Sequence, residues 1–169
     1  MSTELSTTSP VNQVVFVLSN VADWQTLLGS VPAGAEVHLL DANGDALGEM
    51  ASILANRSGL DAIHLVSHGN SGSLSLGTTT LNAATLSAHD SDLARIGAAL
   101  GANGDLLLYG CDVAAGSTGS TFIDQLAQAT GADVAASTDP TGAANLGGDW
   151  ILEASTGSIE ASALSAGAD

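Results

Sequence analysis

The chain has 169 residues, 45% of them hydrophobic and only 3% aromatic, which predicts one domain with an aliphatic core. The 18 acidic residues against two arginines, Arg57 and Arg95, give a formal net charge of −16. This balance argues against nucleic acid and anionic membrane surfaces as partners, because both need a basic face. The sequence contains no lysine, which excludes a Walker A phosphate site and a lysine Schiff base.

Cysteine content and the termini bear on the compartment and on domain organisation. The single cysteine, Cys111, cannot form an internal disulfide, which fits the cytosol or a surface protein exported without disulfides. The first residues lack the basic and apolar regions of a classical signal peptide. No apolar run approaches the roughly 20 residues of a membrane span, so no membrane insertion is expected. We predict a flexible arm over residues 1–11, one α/β domain over 12–161 and a flexible tail over 162–169.

The first part of the chain alternates predicted strands and helices. Gln13–Leu18 is an apolar run typical of a buried strand, and Asp23 follows as the cap of a short helix. Glu36–Leu40 is a second predicted strand. Apolar residues at helical spacing predict a helix over Asp45–Asn56. Asp61–Ser67 is the third predicted strand.

The second part begins with a break in this alternation and then resumes it. A β-hairpin with Gly77 near its turn is predicted first, because short apolar alternation surrounds that glycine. The elements that follow from the pattern are, in order, a hairpin over Gly72–Leu81, a helix over Thr85–Leu100, a strand over Asp105–Tyr109, a helix over Ser117–Thr130, a strand over Ala132–Ser137 and a closing hairpin from Gly148–Glu153 and Ser158–Ala161.

Apolar strands that alternate with helices predict a mainly parallel sheet with helices on both faces, here with short β-hairpins added. Functional sites of such sheets lie at the carboxyl ends of the strands. The residues that follow each predicted strand are therefore the first candidates for a site.

Two predicted strand ends carry reactive side chains. The third strand ends in Ser67, His68 and Gly69, and the fourth is followed by Cys111 and Asp112. If these strands are neighbours, His68 and Cys111 face each other across one edge of the sheet. A cysteine attacks as the thiolate, which a nearby imidazole supports before it protonates the leaving amine. The backbone N–H groups of Gly69 and Cys111 would stabilise the charge that develops on the attacked carbonyl oxygen.

An apolar strand ending in His-Gly, followed later by an apolar strand ending in a small residue and Cys, resembles the caspase-like cysteine peptidases. These include caspases, gingipains, legumains and separases. The resemblance implies a three-layer caspase-like α/β sandwich, with His68 as general acid and base, Cys111 as nucleophile and Gly69 as an oxyanion donor. Asp139 is similar in position to an aspartate that receives a basic side chain in separase-like members. The resemblance thus implies a pocket for a basic P1 residue, the residue before the cleaved bond.

The phrases DAIHLVSHG, LLLYGCDVA, TGADVAAST and LGGDWILE are similar to a bacterial domain found near the start of very large, acidic, repeat-containing surface adhesins. The resemblance runs from residue 13 to residue 154. It implies an extracellular or cell-surface location without a classical signal peptide, with the cytoplasm as the alternative. It also implies a cysteine endopeptidase that cleaves a peptide or protein, with the parent polypeptide as a candidate substrate. The alternative is a non-catalytic structural or interaction module of such an adhesin.

A metal site is the competing interpretation of the same histidine and cysteine residues. His64 shares its strand parity with His68, so a zinc site formed with Cys111 is conceivable. Four residues along a strand separate two side chains by roughly 13 Å, which is too far for one metal ion. We therefore expect no metal or cofactor, and we place His64, Ser67 and Asp112 in a supporting role around the dyad.

The turn from Asp41 to Asp45 is the remaining alternative, because its sequence faintly resembles a calcium loop. It lacks the spacing and the closing glutamate of an EF-hand. A strand-to-helix turn with a capping aspartate is the favoured interpretation. Calcium stays open as a structural ion only because the chain is so acidic.

Overall fold

The computed structural model describes residues 13–19, 36–55, 57–109, 113–138 and 154–157. Nine strands and three helices lie in these ranges. The strands are β1 Gln13–Leu18, β2 Glu36–Leu40, β3 Leu60–Val66, β4 His68–Asn70, β5 Ser73–Leu76, β6 Thr79–Asn82, β7 Leu100–Tyr109, β8 Asp133–Ala136 and β9 Ala154–Ser155. The helices are α1 Ala46–Leu54, α2 Asp90–Ala99 and α3 Gly116–Thr130, with a short 3-10 helix at Leu86–His89 before α2.

Two sheets organise these elements. The central sheet has the strand order β2-β1-β3-β7-β8-β9, and each pair except β8 with β9 is parallel. The smaller sheet is antiparallel, with the order β4-β5-β6. The described chain is thus a mixed α/β fold with a mainly parallel central sheet, as the alternating pattern predicts.

The core lies where alternate residues of the central strands meet the helices. Phe16, Leu65 and Leu108 belong to one buried cluster with Met50 of α1 and Phe122 of α3. Each such side chain contributes about 1.5–3 kcal/mol when it leaves water, so this apolar layer is the main source of stability. The residues of opposite parity in the same strands are buried as well. The helix predicted after Asp23 lies outside the described residues.

The helix ends follow local sequence signals. Asp45 caps α1, because its Oδ1 accepts a hydrogen bond from the Gly48 N–H at 3.1 Å. Helix α3 ends at Gly131, whose φ of 76° lets its N–H reach the Ala127 carbonyl. Within the described ranges, no helix combines the length and apolar character that crossing a membrane requires.

Two predicted boundaries in the middle of the chain are wrong. The single helix predicted over Thr85–Leu100 is instead a 3-10 helix followed by α2. The Asn82 side chain accepts hydrogen bonds from the backbone N–H groups of Ala84 and Thr85, which forms a turn just before the 3-10 helix. Strand β7 begins at Leu100 rather than Asp105. Its first residue pairs with Leu60 across an irregularity in the ladder.

The remaining differences concern small elements. Strand β4 was not predicted, and it extends the confirmed β5–β6 hairpin by one strand. Of the predicted closing hairpin, residues 148–153 and 158–161 lie outside the described part. Of the four residues between them, Ala154 and Ser155 form β9, which pairs with β8. The predicted arm over residues 1–11 and the tail over 162–169 also lie outside it.

Candidate functional site

The carboxyl ends of β3 and β7 lie side by side. The two strands are parallel neighbours, with Val66 in register with Tyr109. The Ser67 N–H donates to the Tyr109 carbonyl at 3.4 Å, which continues the ladder one residue past β3. The predicted pairing of His68 and Cys111 requires that β3 and β7 be neighbours, and this requirement is confirmed. Both residues follow strands that end at the same edge of the sheet.

The described residues include only part of the predicted site. The backbone of His68 opens β4 and pairs with Ser75, and half-buried Gly69 pairs with Leu74. The His68 side chain lies outside the described part, as do all atoms of residues 111, 112 and 139. The separation of the predicted catalytic atoms, the supporting role of residue 112 and the P1 pocket at residue 139 therefore stay predictions.

The segment that follows Cys111 is held on two sides. Val113 and Ala114 are buried, and the Ala114 N–H donates to the Ser137 carbonyl at 2.8 Å. On the opposite side, the Gly72 N–H donates to the Val113 carbonyl at 3.0 Å. The Ser71 hydroxyl donates to the Ala115 carbonyl at 2.7 Å. This segment is thus fixed between the end of β8 and the β4–β5 turn.

Close backbone packing adds to these hydrogen bonds. A Cβ atom built on Gly119 of α3 would lie 2.6 Å from the Ala114 Cα and 2.7 Å from the Val113 carbonyl oxygen. Real Cβ atoms do not approach other heavy atoms so closely, so only glycine fits without a shift. The first turn of α3 therefore lies directly against the segment after Cys111. The helix begins at Gly116, close to the predicted position, with its positive dipole end toward this segment.

A buried polar network crosses the second face of the sheet. His64 is fully buried, and its Nε2–H donates to the Gln13 side-chain oxygen at 2.8 Å. With that proton assigned, Nδ1 accepts from the Tyr109 hydroxyl at 2.9 Å. The His64 and Tyr109 rings also stack, with their centroids 5.8 Å apart. The network joins β1, β3 and β7.

Burial lowers the pKa of His64 to about 4, because the charged imidazolium would lose its hydration there. His64 is consequently neutral at ordinary pH. Its two ring nitrogens are both engaged, by Gln13 and Tyr109, which leaves neither available for a metal ion. Across the part of the chain that the structure describes, no three His, Cys, Asp or Glu side chains group as metal ligands.

Ser67 and the Asp41–Asp45 turn complete the predicted positions. Ser67 is only 5% exposed, and among the described residues its hydroxyl has no hydrogen-bond partner. Asp41 accepts from the Asn43 N–H, and Asp45 caps α1, so both carboxylates serve the turn as the favoured interpretation predicts. No described contact tests the calcium alternative.

The sequence alone did not point to Gln13, Tyr109, Ser71 or Gly72 as parts of this region. A weak signal existed for Tyr109, which is the only tyrosine of the chain and ends an apolar strand. A buried hydroxyl needs a partner, and a buried histidine on the neighbouring strand is one. No comparable signal marks Ser71 and Gly72, because their partners are backbone carbonyls distant in sequence.

The described residues form an α/β domain with a mainly parallel sheet, in which the carboxyl ends of β3 and β7 lie side by side. The chain belongs to the family described as Domain of unknown function (DUF4347), whose model matches residues 14–168. No curated protein and no solved structure matches the chain. The family match supports neither a peptidase activity nor its absence.

Proposed function

We propose that the chain is a caspase-like cysteine endopeptidase domain, with Cys111 as nucleophile and His68 as general acid and base. The observation that carries the proposal is the adjacency of β3 and β7, whose carboxyl ends are bonded through Ser67 and Tyr109. Neighbouring strands lie about 4.8 Å apart. Residues that follow two such strands at one edge start close enough for an imidazole and a thiol to act together.

The described surroundings of Cys111 support the same proposal. The chain is fixed up to Tyr109 by the sheet and again from Val113 by hydrogen bonds on two sides. Residues 110–112 join these two anchored stretches of chain, and a nucleophile that is positioned before the reaction loses less freedom on attack. The first turn of α3 adds N–H dipoles near a developing negative charge.

The proposed reaction has two halves. The Cys111 thiolate attacks the peptide carbonyl carbon, a C–S bond forms, and the oxyanion is held by the N–H groups of Gly69 and Cys111. The C–N bond then breaks as the His68 imidazolium gives its proton to the leaving amine. Water attacks the acyl-enzyme, passes a proton to His68 and releases the acid and the thiolate. No metal or cofactor takes part in these steps.

Charge and the resemblance together suggest the substrate class. A surface with a net charge of −16 repels acidic polypeptides and attracts basic segments. Asp139 in the place implied by the separase-like members would receive an arginine or lysine at P1. The substrate we propose is an exposed basic site in a peptide or protein, the parent polypeptide of a surface adhesin included. An extracellular or cell-surface location belongs to the same proposal.

A cleavage assay on the purified domain tests this function. A peptide library is incubated with the wild-type domain and with Cys111→Ala and His68→Ala, with and without calcium. His89→Ala is the matched control, because His89 is a partly exposed histidine of the 3-10 helix that the proposed dyad does not use. We expect cleavage after basic residues that both site variants abolish and the control retains. Folded wild-type protein that cleaves nothing in either condition would overturn the peptidase and favour a non-catalytic module.

A further inference from the structure

The β4–β5 hairpin connects the two halves of the proposed dyad. Its first strand begins with His68 and ends at Asn70. The next two residues, Ser71 and Gly72, are bonded to the segment that follows Cys111. Three strand residues span roughly 10 Å, so one short rigid element joins the backbone of His68 to the chain beyond the nucleophile.

Strand β4 is held firmly by its neighbours, so a displacement of Ser71 and Gly72 would also displace the backbone of His68. Its three residues pair with β5, His68 with Ser75 and Asn70 with Ser73. Strand β5 in turn pairs with β6, and its Leu74 and Leu76 are buried in the main core. The hairpin therefore cannot shift toward or away from the sheet edge without disturbing the core.

The turn itself requires a glycine at Gly72. Its φ of 74° lies in the left-handed region, and a Cβ atom there would lie 2.5 Å from the Thr118 Cγ2 and 3.0 Å from the Thr118 carbonyl oxygen. Its N–H donates to the Val113 carbonyl at 3.0 Å. A side chain at this position would push the turn away from both α3 and the segment after Cys111.

We propose that Ser71 and Gly72 are positioning residues that set the distance between His68 and Cys111. This inference rests on the proposed function, because it assigns the hairpin a role in that dyad. Ser71 acts through its hydroxyl bond to the Ala115 carbonyl. Gly72 acts through its N–H bond and through the absence of a side chain.

The test uses two series of variants. Gly72→Ala is compared with Gly59→Ala, whose φ of 69° is equally left-handed but whose added Cβ would meet nothing within 4 Å. The comparison separates close packing from backbone strain. Ser71→Ala removes the hydroxyl, and Ser71→Thr restores it. Ser71 is exposed, so removal of its hydroxyl in Ser71→Ala leaves the core intact. This variant therefore still decides the test if Gly72→Ala fails to fold.

The first readout is alkylation of Cys111 by iodoacetamide across pH, which reports one site because the chain has a single cysteine. Close pairing with an imidazole lowers the pKa of a thiol. We expect the midpoint of the rate profile to move to higher pH in Gly72→Ala and Ser71→Ala, and to stay at the wild-type value in Gly59→Ala and Ser71→Thr. This readout does not depend on proteolysis.

The second readout is peptide cleavage. We expect kcat to fall by roughly 2- to 10-fold in Ser71→Ala, the loss of one hydrogen bond. Displacement of about 1 Å in Gly72→Ala would lower kcat by up to about 100-fold, with KM nearly unchanged. Wild-type alkylation and cleavage in both variants would overturn the positioning role and leave the peptidase standing. A wild-type domain that cleaves nothing would overturn the peptidase, and the alkylation midpoints would still decide the positioning role.

Discussion

Acidification should destabilise the domain through His64 in a way that a single substitution removes. The folded chain holds His64 neutral, with its pKa lowered to about 4 by burial against an ordinary value of 6.5. Between these two values the unfolded chain binds a proton that the folded chain does not. Stability is therefore complete above about pH 6.5 and declines as the pH falls toward 4, by about 1.4 kcal/mol per pH unit. The total loss is about 3 kcal/mol.

The assay is urea unfolding followed by circular dichroism, at a series of values from about pH 8 to about pH 4. Carboxylates also titrate in this range, so the informative quantity is the difference in unfolding free energy between wild type and His64→Gln. We expect this difference to shrink by about 3 kcal/mol on acidification, because only the wild type must protonate a buried imidazole on unfolding. His89→Gln, at a partly exposed position, serves as the matched control for replacing a histidine by glutamine.

A difference between wild type and His64→Gln that stays constant across this pH range would refute the reasoning. It would mean that His64 has the same pKa in the folded and the unfolded protein, as a hydrated imidazole would. The hydrogen bonds to Gln13 and Tyr109 would then not hold it in a neutral form.

Two further substitutions test the packing and the surface charge of the domain. Hydrogen bonds from Arg57 are the main cause that lowers the pKa of Glu36 to about 2. The His38 ring nitrogen, 2.5 Å from a Glu36 carboxylate oxygen, lowers this pKa further. Glu36 therefore contributes stability above about pH 4.5, and this contribution is lost as the pH falls toward 2. Because Glu36 is about a third exposed, solvent weakens its ion pair with Arg57, and Glu36→Gln should lower the unfolding free energy by no more than about 1 kcal/mol at neutral pH. Thermal unfolding measures this loss, and a larger value would contradict the weakening by solvent. Gly97→Ala places a methyl group against the Thr130 carbonyl where α2 crosses α3, and should lower the unfolding free energy by about 1–3 kcal/mol. An unchanged urea midpoint would show that the two helices pack less closely.

The parallel strands were predictable because most of their residues are apolar and their runs are short. Gln13–Leu18 and Glu36–Leu40 have the bounds that the pattern predicts. Strand β1 is buried on both faces from Val14 onward, so its continuous apolar run is a sufficient signal. The edge strand β2 exposes Val37 and Leu39, and its signal is the short run of strand-forming residues alone. The capping of α1 by Asp45 was equally predictable, since it depends on neighbouring residues alone.

The missed elements depend on contacts that are distant in sequence. Strand β4 contains His68, Gly69 and Asn70, none of which favours a strand, and it exists because β5 pairs with it. The first half of β7 contains glycines and joins the sheet only through the register with Leu60. Local propensity cannot reveal pairing that a neighbouring strand imposes.

The candidate site was likewise predictable only in part. The two strand ends followed from the apolar runs before them, and their adjacency is confirmed. The His64 network required the relative register of three strands, which places Gln13 and Tyr109 diagonally across from His64. Sequence parity identified the face of His64 but not its partners.

The central claim is tested most directly by the rate at which a peptidyl electrophile with arginine at P1 modifies Cys111. The adduct is followed by intact mass, in the wild type and in His68→Ala. We predict modification of Cys111 that is faster than that of a free cysteine at the same pH, and a loss of this advantage in His68→Ala. Modification at equal rates in both proteins, no faster than that of free cysteine, would contradict the assignment of a His68–Cys111 dyad.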